Sequence, residues 1–196
     1  MKKYFLVFVL FICAADSFAQ TQGTKLPEVD KSPMDMCYYP NDYPVLKIQG
    51  KATEPVIARV IYSRPQKNER VIFGGLVEFG KVWRLGANEA TEIEFYKDVR
   101  IAGKKVIKGR YTLYAIVNSD SWTIIINKDT DTWGAFKYDE KKDLLRTTIP
   151  VQKNSEIIEA LAMTFEPILD STGKATKNFN LTIAWDDVNV SLPIFL

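Results

Sequence analysis

From Val45 onward the apolar positions of this chain recur with a period of two. Over residues 56–63, Ile57, Arg59 and Ile61 alternate with Ala58, Val60 and Tyr62, the pattern of a strand with one more polar face. Pro65 closes it, because proline removes a ladder donor. Residues 92–96 alternate in the same way, with Ile93 and Phe95 opposed to Glu92, Glu94 and Tyr96. Ala102-Gly103, between Val99/Ile101 and Val106, predicts a hairpin. In 110–117 Tyr111, Leu113, Ala115 and Val117 share a face. After a turn at 118–121, residues 122–127 (WTIIIN) are apolar on both faces, which predicts a central strand. Residues 143–151 read as a further strand. Ser155 followed by carboxylates resembles a helix cap, but the alternation Leu161, Met163, Phe165 favours a strand there. After a turn-rich loop at 167–177 the chain is expected to end in a hairpin. Its arms would carry Leu181, Ile183 and Trp185, then Val188, Val190, Leu192 and Ile194, with Asp186-Asp187 at the bend.

About ten short strands with hardly any helical periodicity predict an all-β fold: a single-domain antiparallel β-sandwich or flattened barrel. Residues 20–44 are polar and broken by Pro27, Pro33, Pro40 and Pro44, so an extended N-terminal segment over the domain surface is expected, with 45–196 as the sandwich. No repeat or linker divides the chain.

Residues 1–19 change the setting. Lys2 and Lys3 precede an apolar stretch of signal length, and Ser17-Phe18-Ala19 supplies a small-x-small cleavage site. The stretch is too short for a membrane span. Export is expected, to the periplasm, the envelope or the medium, with Gln20 as the new N-terminus. Cleavage would remove Cys13 and leave Cys37 without a disulfide partner, so packing must stabilise the domain. The net charge of +2 carries no nucleic-acid footprint. Met34, Met36 and Cys37 are soft ligands at close spacing, but without histidine or a second cysteine they read as cover for an apolar patch. No metal or cofactor is expected.

The chain has no histidine. That excludes Ser-His-Asp and Cys-His nucleophile activation and the usual zinc sites. Gly74-Gly75 lacks the strand-to-helix context of a phosphate loop and reads as a turn needing positive φ. Candidate chemistry concentrates in residues 71–95, where Trp83, Arg84, Asn88 and Glu89 lie close in sequence, with Arg64 and the loop aromatic Trp133 as further members. A binding module for a small polar or saccharide ligand, or for an envelope partner, would use these six side chains to stack and hydrogen-bond. A carboxylate-dependent glycan hydrolase would need Glu89 and a second acid facing it. The same residues fit a structural or assembly protein of the envelope, in which Arg84 and Glu89 pair to pin the loop. Trp133, Phe136 and Tyr138 either stack on a ligand or fold back over the sandwich end.

The segments IFGGLVEFGKVWRLGANEATEIEF at 72–95, YSRP at 62–65, GRYTLYAI at 109–116, WTIIINKDTDTWGAF at 122–136 and KKDLLR at 141–146 resemble an uncharacterised bacterial family, domain of unknown function 2911. The most specific piece is the run from Trp83 to Thr91. The resemblance implies an exported, single-domain, mainly β protein, and supplies no catalytic residue.

Overall fold

The computed structural model describes residues 24–196, so the export signal expected at 1–19 lies outside the described residues. In chain order the elements are β1 (Met34–Tyr39), α1 (Tyr43–Ile48), β2 (Ala58–Ser63), β3 (Val82–Trp83), β4 (Glu92–Phe95), β5 (Val99–Ile101), β6 (Lys104–Val106), β7 (Gly109–Val117), β8 (Ser121–Asn127), β9 (Asp143–Pro150), β10 (Gln152–Leu169) and β11 (Ala175–Ile194). One antiparallel sheet has the order β1-β2-β4-β7-β8-β9, with β3 also on β7. The long ribbon β10–β11 supplies the opposing layer. The fold is all-β and sandwich-like, with no closed barrel.

The predicted alternation sets the core. Ala58, Val60, Ile93, Phe95, Leu113, Ala115, Trp122 and Ile124 point from the sheet toward Leu161, Phe165, Phe179, Leu181 and Ile183 of the ribbon. Each fully buried side chain of this size contributes about 1.5–3 kcal/mol from removed apolar surface. β8 lies between β7 and β9 and is buried on both faces, because Ile125 joins Tyr114 and Ala90 in a second small core outside the sheet. The loop after β8 covers this face with Ala135 and Tyr138. The predicted hairpin at Ala102-Gly103 joins β5 to β6 with φ of 49° and 75°, the positive pair that a tight two-residue turn needs.

Three expectations are corrected. The chain does not end in a hairpin bent at Asp186-Asp187: β11 runs straight through as one strand. Asp186 adopts φ 55° and is held to Lys67 at 3.0 Å, and the buried positions switch from Phe179, Leu181, Ile183 and Trp185 to Val188, Val190, Leu192 and Ile194. A bulge flips the burial phase just as a reversal does, so periodicity alone could not separate them. Second, the period of two does not begin at Val45, which lies in the short helix α1, with Pro44 in its first turn. Third, Met34–Tyr39 is a hydrogen-bonded edge strand on β2, and its pleat sends Cys37 inward against the core while Met34 and Met36 stay exposed. Opposite faces of a strand cannot converge on one ion.

Candidate functional site

β3 and β4 lie in line along the same edge of β7. Trp83 pairs with Ala115 and Glu92 with Thr112, so three steps on β7 face nine along the stretch from β3 to β4. The eight residues 84–91 thus stand opposite two on β7, and the excess of six is extruded from the sheet. The backbone of this segment turns through positive φ at Leu85 (56°) and Asn88 (58°), costly for non-glycine residues unless the surroundings over-determine them.

The surroundings do so. The buried Ser63 hydroxyl donates to the Ala87 carbonyl and accepts from the Ala87 N–H, both at 2.6 Å. The Trp83 indole donates to the Gly86 carbonyl at 3.2 Å, and the buried Thr91 hydroxyl donates to the Leu85 carbonyl at 2.7 Å. A Cβ on Gly86 would stand 2.6 Å from Ser63 Oγ, so glycine is needed for close approach there. Ser63 and Thr91 are the fasteners that sequence reasoning missed. The only signal for them was a hydroxyl at the end of β2 and another directly before β4.

The six candidate side chains are consequently divided. Trp83 is 8% exposed, stacks on Trp185 with centroids 6.0 Å apart, and meets Phe73 and Trp122 edge-on, so its ring belongs to the core. Arg64 bridges layers: Nη1 reaches Asp35 at 3.0 Å and Nε donates to the Leu161 carbonyl at 3.1 Å. Asn88, Glu89 and Trp133 are brought together at the surface by an antiparallel bridge between Glu89 and Trp133. Arg84 leaves on a different side, into a cleft of about 210 Å³ that it shares with Arg70, Ser32, Leu76 and Trp185.

The expected Arg84–Glu89 ion pair is not formed, because the two left-handed residues part their side chains. Among the described residues Arg84 has no ion pair, and its Nε is shielded from solvent without an acceptor. Burial pulls its guanidinium down from the usual arginine range, yet an arginine stays protonated. Arg70 spends its donors on the Lys67 and Gln66 carbonyls and faces no carboxylate among the described residues. The cleft thus holds two uncompensated cations beside apolar walls of Leu76, Val77, Pro65 and the Trp83–Trp185 pair.

Glu89 lines a separate depression with Glu92, Asp131 and Met34. Both of the other carboxylates are held by Arg110, at 3.4 Å from Glu92 and 2.6 Å from Asp131. Both acids are therefore engaged in ion pairs rather than facing Glu89 as a free partner. Of the three loop aromatics only Tyr138 folds back, packing edge-on against Tyr114, while Trp133 and Phe136 remain 60% and 84% exposed. No helix of the described residues is long and apolar enough to cross a membrane. Nor does any group of three His, Cys, Asp or Glu side chains among them stand ready to hold a metal ion.

No curated protein and no solved structure matches the chain significantly. A family model does, over residues 46–194, which take in the sheet apart from β1, the extruded loop, the Arg84 cleft apart from Ser32, and the ribbon. With that match spanning most of its length, the chain belongs to the family described as protein of unknown function DUF2911.

Proposed function

We propose that this protein is an exported, non-enzymatic binding module that holds a small carboxylate-bearing ligand in the cleft between Arg84 and Arg70. The signal-like residues 1–19 support export. The observation that carries the reading is the half-buried Arg84 guanidinium, which meets no acid and leaves Nε without an acceptor among the described residues. A desolvated cation without a partner weakens the fold, and a bound carboxylate would supply the counter-charge through the two Nη groups, which have no partner among the described residues. A planar fork of N–H groups matches a carboxylate in two-point contact, which an ammonium does not.

The apolar walls suit the body of such a ligand, and the volume limits its size. Drug-sized molecules fill about 300–1,000 Å³, so about 210 Å³ suits a short acid or a single uronic acid. A hydrolase built on Glu89 finds less support, because its neighbouring acids are committed to Arg110.

The test is thermal unfolding of the chain from Gln20 with short aliphatic and aromatic acids and uronic acids, followed by calorimetric titration of any stabilising acid. Binding should fall at least about tenfold in Arg84→Gln, the worth of a charge-assisted pair. If no acid raises the melting temperature, or if Arg84→Gln binds as tightly as the parent, the reading fails.

A further inference from the structure

Trp133 stands apart from the other indoles. It is 60% exposed, whereas Trp83, Trp122 and Trp185 are 8%, 1% and 1%. Nothing about its loop is loose. The Thr132 hydroxyl meets the Tyr114 hydroxyl at 3.0 Å, Arg110 grips Asp131 at 2.6 Å, and the Tyr138 hydroxyl donates to Asp143 at 2.6 Å. Two backbone bonds close the base: Ala90 N–H to the Thr132 carbonyl at 3.0 Å, and Gly134 N–H to the Asn88 carbonyl at 2.9 Å.

Those two bonds flank the Glu89–Trp133 bridge, which makes it a non-hydrogen-bonded antiparallel pair. In such a pair the side chains leave on the same side from Cα atoms about 4.5 Å apart. The exposed indole therefore stands beside a carboxylate that has no ion pair or hydrogen bond among the described residues. Next to it lies the depression of about 150 Å³ where Glu92 and Asp131 present further acceptors. Arg110, which reaches this side, is spent on those two acids. The depression is lined by three carboxylates and no cation, and the exposed indole stands at its side, so the surface disfavours anions and suits hydroxyl-rich ligands.

Phe136 decides between a hydroxylated ligand and an organic cation. Its ring is folded against Gly134, close enough that a Cβ there would lie 2.7 Å from it, and it is 84% exposed. Among the described residues it makes no ring contact with Trp133, so the two rings do not converge into the cage that selects quaternary ammonium groups. They form instead two separate apolar steps on one rigid loop. We propose that Trp133, Glu89 and Phe136 form a stacking platform for a neutral oligosaccharide: the indole takes the C–H face of one sugar, Glu89 accepts from its hydroxyls, and Phe136 supports a neighbouring unit.

This platform is separate from the Arg84 cleft, so each can fail without the other. Because the other three indoles are buried, red-edge fluorescence and its quenching by acrylamide report on Trp133 alone. The chain from Gln20 is titrated with cello-, xylo-, malto- and chito-oligosaccharides of four to six units. At least one series should shield Trp133 from the quencher. Calorimetric binding of that glycan should be lost in Trp133→Ala, retained in part in Trp133→Phe, weakened severalfold in Glu89→Ala, and unchanged in Arg84→Gln. Near-ultraviolet dichroism of the buried indoles verifies that each variant is folded. The proposal is overturned if no glycan shields Trp133, or if Trp133→Ala still binds. It is equally overturned if shielding appears with rising protein concentration and no glycan, which would mark a self-association surface.

Discussion

The indoles of Trp83 and Trp185 lie nearly parallel, 20° between planes, with their centroids 6.0 Å apart across the two layers of the sandwich. Trp83 ends the short strand β3 and Trp185 immediately precedes the β11 bulge, so this pair couples the two irregularities that shape the cleft. Trp83→Ala should destabilise the fold by about 3–5 kcal/mol, as large-to-small changes of buried aromatics do. Trp83→Phe should cost less, though it also frees the Gly86 carbonyl. Urea unfolding checks both, with a shift in midpoint at unchanged slope as the expected signature.

Arg84 should show opposite effects on stability and on binding. Replacing a half-buried, unpaired cation with methionine keeps the apolar stem and removes the desolvated charge. Arg84→Met should therefore raise the ligand-free stability by about 1 kcal/mol, the low end of what burying an unpartnered polar group costs. It should at the same time remove any stabilisation by carboxylates. Thermal melts with and without an acid check both signs at once. A loss of stability in Arg84→Met would show that the guanidinium serves the fold.

Ser63 and Gly86 should behave as a coupled pair. Ser63→Ala strands the Ala87 N–H and carbonyl, and a buried group left unsatisfied costs about 1–3 kcal/mol. Gly86→Ala drives a methyl to 2.6 Å from Ser63 Oγ, so it should be damaging alone. In the Ser63→Ala background that collision is relieved. A double-mutant cycle should accordingly fall short of additivity by about 0.5–3 kcal/mol.

Alkaline pH should weaken the fold. Burial, with a smaller push from Asp35, raises the Cys37 thiol from 9.0 to about 12. Burial also raises Tyr39, Tyr62, Tyr111 and Tyr114, and burial with the Asp143 hydrogen bond raises Tyr138. A group whose folded pKa is raised leaves stability intact below its unfolded pKa, because both states are then neutral. Stability falls once the unfolded chain can release protons that the native state retains. For Cys37 the loss should run from pH 9 to about 12, and the tyrosines add to it from pH 10 upward. Unfolding midpoints between pH 7 and about 11 test this. The thiol of the chain from Gln20 should also resist alkylation at about pH 8 until denaturant is added.

Much of this protein is written locally. The pairs Ile93/Phe95 and Leu113/Ala115, the two-faced burial of β8 and the positive-φ turn at Ala102-Gly103 are each stated by a few adjacent residues. A strand's burial repeats every second position, and so the all-β sandwich is legible in the sequence. The same segment, Trp83 to Thr91, also marked where the chemistry would lie. What it could not state is which side chains meet. Leu85 and Asn88 carry no glycine signal for positive φ, yet their turns send Arg84 and Glu89 to different sites and leave both without an acid–base partner. Asp186 bulges a strand that its phase flip resembles ending, and Ser63 fastens a loop twenty-four residues away. These outcomes depend on register between distant strands and on backbone conformations enforced by packing. Only the tertiary structure decides them, because the energies that settle each one come from residues far off along the chain.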